Sequence, residues 1–483
     1  MAGPGTTSFV QEPVDTADKV PVITNWTPMI GYMVYHDDIS SLYFFKLVLD
    51  VKLDDASGTL LGRIKQRRNG YGPDVSANDA RAFFDLRDIV NSQLVNTVFD
   101  QNQTGIPFQT IHKIGVNNPV TPYSVNGDNR TDETQVQTIY VKAQQEFSTS
   151  PTSIPAIDTS STAEDTLVYM AASLPLMTAR DDDADYIQGT AFQPYQGNST
   201  VDLFLSDVES SSGDYNLTGP INYIQETDYH TIAFLNDHTN FDSDIDYIQI
   251  IYYDSSNAMI NSARYIANIA VNGGAPPSGT LTDAKRLIYF GCGPGNLEAQ
   301  SDNTNARPSN NAGWAYYTIR GTTAGLAGQT ALYYFIKQDG SCKGFKVRRL
   351  AWRNSLGCYD YFNFKKKSTQ RIEVTRNNYN SIMGRFNGSK WSYNNTMRGK
   401  NTRQVTAILK ETLNTDWITE EDGRLLEKLI MSTDVYMVEN GDTEFTEGVM
   451  ITDSSFTRKT RANDKMIQYT IQIEYANPIN TNS

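Results

Sequence analysis

Residues 42–53 read LYFFKLVLDVKL, and the later part of this run alternates. Leu47, Leu49, Val51 and Leu53 fall on one face, Asp50 and Lys52 on the other. A period of two over this length predicts a strand with one buried face. The turn cluster at 54–58 (DDASG) then predicts a hairpin, with 60–67 returning as the partner strand. The period changes at 83–98, where Leu86, Ile89, Val90 and Leu94 make one helical stripe. Asp85 is the expected N-cap of that helix, with Asp88 in its first turn. Strands are expected again at 110–116 and 135–145. Residues 29–147 therefore read as a β-sandwich with one covering helix.

Residues 148–165 (STSPTSIPAIDTSSTAED) carry Ser, Thr and Pro with little apolar content, and are expected to be a linker or exposed loop. Residues 166–367 resume the strand pattern. Short apolar or aromatic runs at 200–205, 230–235, 247–253, 263–271, 286–290, 314–319, 331–336 and 345–352 are separated by Gly/Asn/Asp-rich turns. That spacing predicts a large β-sandwich region, either one unit or two sub-domains. Residues 368–483 mix periods. An alternating strand is expected at 369–376 and a helix at 419–432. The helix opens on Thr419 and Asp422 as a capping box, with Glu420 and Glu421 at the positive end of its dipole. Leu425, Leu426, Leu429 and Ile430 are its expected buried stripe. Strands follow at 435–438, 449–452 and 466–475; in the last, Ile467, Tyr469, Ile471, Ile473 and Tyr475 share a face. The expected class is mainly β: multi-domain β-sandwiches with a smaller α+β C-terminal domain. No fixed-period repeat is visible.

Composition fits this reading. Tyr (28) and Phe (20) are abundant while His (4) is scarce, as suits half-buried strands. The net charge of −14 and a pI near 4.8 argue against non-specific nucleic-acid binding, which needs a basic face. No apolar run approaches the roughly 18 residues of a membrane span, so none is expected. Residues 1–13 lack the basic and apolar blocks of a secretory signal. Residues 1–28 read as an extended N-terminal arm. Pro13, Pro21 and Pro28 would keep it extended, and Trp26 is a candidate interface anchor, with a core role at the domain entrance as its alternative.

Catalytic patterns are sparse. Gly291-Cys292-Gly293-Pro294-Gly295-Asn296 follows a strand but lacks the Lys-Ser/Thr ending of a phosphate loop, so a tight turn is expected. The acidic runs 181–185 and 242–246 lack the calcium-loop order. Cys292, Cys342 and Cys358 have no zinc-type spacing and are expected as buried thiols. His36, His112, His230 and His238 form no metal motif. No nucleophile elbow is present. We expect no enzyme activity and no cofactor. Two basic stretches stand out against the acidic background: 343–353 (KGFKVRRLAWR) and 365–376 (KKKSTQRIEVTR). Lys346, Arg348, Arg349, Lys365, Lys366 and Lys367 are therefore interface candidates. The alternative reading makes them outward positions of neighbouring strands.

Three stretches carry a resemblance. The first is 43–53 with 62–67 and 84–94 (FDLRDIVNSQL); the second is 350–364 (LAWRNSLGCYDYFNF). The third runs from Leu413-Asn414-Thr415-Asp416-Trp417 through the capped helix and Ser432-Thr433-Asp434-Val435-Tyr436 to 468–477 (QYTIQIEYAN). In this order they resemble virion structural proteins of tailed bacteriophages, of the marine and Bacteroidetes-infecting kinds. The resemblance implies a tail, baseplate or fibre-attachment component located in the virion. Its partners would be other copies of itself and neighbouring tail or baseplate proteins, with possible tail-fibre attachment. It carries no catalytic residues. The alternative expectation is a host-glycan-recognition module using the Tyr-rich segment 186–195.

Overall fold

In the computed structural model the described residues are 5–12, 22–23, 31–67, 78–94, 124–125, 128–129, 136–170, 172, 204–235, 245, 247–267, 287–298, 304–323, 325–338, 344–438, 445–453, 455, 457 and 467–482. The chain is mainly β, as its patterning predicts. The strands at Thr7–Gln11, Gly31–His36 and Ala80–Asp85 form a three-stranded sheet. A five-stranded sheet has the order Val22–Ile23, Ala156–Met170, Val136–Ser148, Tyr43–Leu53, Leu60–Gln66. The two sheets share one core. Tyr32, Val34, Ala82 and Phe84 come from the first, and Leu47, Leu49, Val51, Val141 and Tyr169 from the second.

Three sequence expectations change here. Residues 148–165 are not a linker, because Ala156–Met170 is a 15-residue strand antiparallel to Val136–Ser148. The ladder holds at 156–158 and from Ala163 to Met170, and the Ser/Thr residues 159–162 form the irregularity between them, which composition does not reveal. The strand Tyr43–Leu53 is buried on both faces from Leu47 to Val51. Asp50 is buried because Arg63 Nη2 (2.7 Å) and Gln144 Nε2 (2.8 Å) donate to its carboxylate. The helix expected at 83–98 begins only at Arg87, after the Ala80–Asp85 strand, and runs Arg87–Gln93. Its N-cap is Leu86, and Asp85 accepts from the Arg87 amide one step earlier than predicted. Residues 95–98 and 110–116 lie outside the described residues.

The central region holds a six-stranded sheet ordered Ser210–Ser212, Thr218–Ile224, Tyr333–Lys337, Tyr316–Thr322, Tyr247–Tyr253, Arg264–Ala267. Among the described strands of this sheet, Thr218–Ile224 and Tyr333–Lys337 are the pair that runs parallel. The paired strands Thr231–Leu235 and Leu287–Gly291 close over it. Phe234, Phe290, Ile248, Ile250, Tyr317 and Phe335 fill the space between.

The largest sheet has eight strands. Its order is Tyr359–Phe364, Arg348–Arg353, Val435–Val438, Phe445–Ile451, Thr470–Tyr475, Lys400–Asn414, Thr369–Asn380, with Asn480–Asn482 also on Lys400–Asn414. Its first two strands precede residue 367, so the expected boundary between 166–367 and 368–483 cuts through a single sheet. Helix Glu420–Met431 covers one face, with Leu425, Leu426 and Leu429 buried and Ile430 half-buried. The capping box forms as expected: Thr419 Oγ1 accepts from the Asp422 amide, and the Asp422 carboxylate accepts from the Thr419 amide.

Alternation in Arg348–Arg353 explains how the regions join. Leu350 and Trp352 point into the helix-covered core, while Ala351 points into the core of the N-terminal sheets. Two buried polar clusters add specificity. Arg349 Nη1 donates to Asp228 (3.1 Å) and Asn363 (2.9 Å), and Nη2 meets Tyr229 O and His230 Nδ1. Asp360 accepts from Ser206 Oγ (2.6 Å), the Asp207 amide (2.8 Å) and Asn354 Nδ2 (3.1 Å). Burial, reinforced by the Asp207 charge, raises the Asp360 carboxyl to about 7 against these bonds.

Candidate assembly surface

The strands Thr369–Asn380 and Lys400–Asn414 form a long antiparallel hairpin, in register from Thr369↔Thr412 to Asn380↔Lys400 with Arg403 bulged out. Near its root, a third strand supports Lys400–Asn414: Thr470–Tyr475 over Lys410 to Asn414 and Asn480–Asn482 over Val405 to Ala407. Beyond Val405, among the described residues, the two strands are hydrogen-bonded only to each other. Residues 377–404 thus project as a two-stranded arm. All twelve residues of Thr369–Asn380 are exposed.

The tip has a fold of its own. Arg385–Phe386 pairs with Trp391–Ser392. Trp391 Nε1 donates to Met383 O (2.9 Å), and Ser381 Oγ donates to Arg398 O (2.8 Å). Gly384 is at φ +102°, and a Cβ there would lie 2.4 Å from Trp391 Nε1, so glycine is required. This ordered tip presents large side chains to solvent: Ile382 (83% exposed), Tyr393 (68%), Phe386 (64%) and Trp391 (54%). Arg385 and Lys390 are exposed among them. Nearer the root, Ile372 and Val374 stand opposite Leu409 and Ala407, on the face that continues the helix-covered core, yet both are exposed. Exposed apolar side chains therefore stand in two places on the hairpin, at its root and at its tip.

Glu411 anchors the root. Its buried carboxylate accepts from Arg348 Nε (2.8 Å), Tyr475 OH (2.7 Å) and Gln370 Nε2 (3.1 Å). Burial pushes the Glu411 carboxyl up, but the Gln370 and Tyr475 bonds and the Arg348 charge outweigh it and leave it below the usual range. Both strands of the hairpin, the Arg348 strand and the Tyr475 strand meet at this one carboxylate.

The six basic interface candidates divide. Arg349 is 1% exposed and belongs to the internal cluster with Asp228, so it offers nothing to a partner. Arg348 is spent on Glu411. Both corrections have the same cause: each strand of a sheet interior lends half its positions to buried faces, and a buried carboxylate waits there for each guanidinium. Lys346 and Lys367 are exposed, Lys366 pairs with Asp416 (2.8 Å), and Lys365 lines a cleft. Trp26 and Pro28 lie outside the described residues, as do the acidic run 181–185, the Tyr-rich segment 186–195, His112, His238 and Cys342. The arm at 377–404 was not singled out in the sequence. Its signal is a run of exposed-type turn residues carrying Ile382, Met383, Phe386, Trp391 and Tyr393 with no period that could bury them.

The Gly291–Asn296 segment has a structural use. Leu287–Gly291 leads into a short helix, Pro294–Glu298, where a plain turn was expected. A Cβ at Gly293 would sit 2.5 Å from both Asp228 O and His230 N, so the glycine permits close backbone approach. The amides of Gly293 and Gly295 are bonded to His230 O and Asp228 O, which leaves them turned toward protein and away from a phosphate. Cys292 is buried, and burial pushes its thiol up. Among the described residues, no group of three His, Cys, Asp or Glu side chains is placed to hold a metal ion. No described helix is long and apolar enough to cross a membrane.

A cleft of about 200 Å³ lies where the central sheet meets the helix-covered region, lined by Asn222, Gln338, Asn363, Asp416, Asp422 and Trp417. Trp417 is half exposed at this site. No protein-family model matches the chain, and no curated protein is significantly similar to it.

Proposed function

We propose that this chain is a non-enzymatic structural component of a tailed-phage particle, built into the tail, baseplate or fibre-attachment region. One observation carries the reading: the projecting hairpin, ordered in itself, exposes aromatic and aliphatic side chains that a solitary protein would bury. A cluster of exposed large apolar side chains such as the tip carries marks protein–protein contact. Burial of each large side chain would contribute roughly 1.5–3 kcal/mol to association. Three β regions joined through shared cores, with an anchored arm, suit a part that transmits load between neighbours. The resemblance of the 43–53, 350–364 and 413–477 segments to phage virion proteins supplies the particle. The test replaces residues 381–399 with a two-residue turn in the phage genome. Full-length chain is expected in purified particles and the shortened chain is not; absence of the full-length chain from particles would sink the proposal.

Trp417 beside the amide- and carboxylate-lined cleft favours a second reading, in which this cleft takes a sugar of the host surface. Binding of host polysaccharide that survives Trp417→Ala would remove that reading.

A further inference from the structure

We infer that the arm docks on the body of a second copy of this same chain. The inference rests on the assembly role proposed above and names the partner. Charge is the first argument. Residues 377–404 hold five Lys and Arg and no Asp or Glu, a net of +5. The whole chain carries −14, so the remainder carries −19. The arm of one copy therefore meets, on any other copy, a surface of opposite sign. Its own body does not serve, because beyond Val405 the arm leaves the sheet and, among the described residues, pairs only with itself.

The second argument selects among partners. Ile372, Val374, Ile382 and Met383 are aliphatic or thioether side chains exposed alongside Phe386, Trp391 and Tyr393. Nucleic acid is bound by basic and aromatic groups, which stack on bases and neutralise phosphates. Aliphatic anchors find no partner on a phosphate backbone; they fit a protein surface. Two arms pairing with each other would bring +5 against +5. An arm on an acidic body avoids this and makes the contact heterologous, the type that closes into rings or extends into chains. Among the described residues, Thr369–Asn380 is an edge strand, paired on one side, whose other side suits such a neighbour.

The experiment uses the purified full chain, nuclease-treated, and a variant in which residues 381–399 are replaced by a two-residue turn. Matched thermal melts establish that the variant folds. Light scattering and sedimentation then read the mass. The intact chain is expected to form oligomers that weaken by about tenfold or more between low and high salt, and the shortened chain to be monomeric. Labelled shortened chain should still bind intact chain, since its body remains an acceptor. The charge reversal Arg385→Glu with Lys390→Glu should weaken assembly in the same direction. A shortened chain that fails to bind intact chain would indicate arm-to-arm pairing and overturn the inference. A monomeric intact chain would overturn it too, including one whose arm captures a single-stranded DNA probe. In that case, arm-dependent incorporation into particles would still leave the assembly role standing with a different partner.

Discussion

The two basic stretches of this chain look alike on paper and do opposite things. KGFKVRRLAWR turns inward: Arg349 is sealed against Asp228, and Arg348 is held by Glu411. KKKSTQRIEVTR turns outward and begins an arm whose first strand is exposed along its whole length. The difference lies in neighbours, not in composition. Arg348–Arg353 has a hydrogen-bonded strand on each side and a packed layer on each face, whereas Thr369–Asn380, among the described residues, is an edge strand with a neighbour on one side only. A run of positive charge therefore says where cations are needed. Whether the need is a buried carboxylate or a distant partner is decided by strand order.

The sharpest way to break this comparison is at Arg349. Arg349→Ala should destabilise the chain by about 3–5 kcal/mol, because Asp228 would stay buried without its cation. Denaturant melts of the variant would measure this. A loss under about 1 kcal/mol would mean that the joint between the central and C-terminal regions is solvated and that the inward stretch is not internal after all. Lys346→Ala, at an exposed site of the same stretch, should stay within about 0.5 kcal/mol of the parent.

Local order was legible in the residues and long-range order was not. The 466–475 alternation predicts its buried face correctly, with Ile467, Tyr469, Ile471, Ile473 and Tyr475 all inside. Thr419 and Asp422 announce the capped helix because a capping box is complete within four residues. The errors arose where sequence-distant segments decide the outcome. Ala156–Met170 looks like a linker until Val136–Ser148 lies beside it. Tyr359–Phe364 and Arg348–Arg353 look like the end of one domain until Val435–Val438 extends them into the next. The same limit hid the arm: its apolar residues follow no period because, among the described residues, they sit outside the buried cores and stay largely exposed. Residues that fit no buried pattern were the candidate site, and patterns are what a sequence reading collects.

The second joint, at Asp360, sharpens the comparison through pH. Its carboxyl sits at about 7 in the folded chain and near 3.9 when unfolded. Between these values the folded state holds a proton that the unfolded state has released. Stability should therefore fall as pH rises from about 4 to 7 and level off above. Asp360→Asn should flatten that decline and stabilise the chain on the order of 2 kcal/mol at pH 8. Asparagine fits the site, since its Nδ2 can face the Ser206 hydroxyl while its oxygen keeps the Asp207 amide and Asn354. An unchanged pH profile would show that this carboxylate is not taken out of water by the joint.

A smaller effect is expected at the helix that covers the root of the large sheet. Thr419→Ala removes the acceptor for the Asp422 amide and should cost about 1 kcal/mol. Thr419→Ser keeps the acceptor and should recover most of it, which chemical melts on the pair can resolve.

The smallest effect on the isolated chain is the most informative about the arm. Ile382→Ser with Tyr393→Ser changes two of the most exposed large side chains of the tip and touches no hydrogen bond of its fold. Stability of the dilute chain should move by less than about 0.5 kcal/mol, while solubility rises as apolar surface is removed. The inward stretch behaves in the opposite way, where a single cation carries stability. If the double change instead unfolds the dilute monomer, the tip side chains are already packed on their own body, and the contrast between a stretch that closes the fold and one that reaches out of it disappears. If stability holds but assembly fails, the arm's apolar side chains belong energetically to a neighbour, and the free chain carries them exposed because their burial is completed only between molecules.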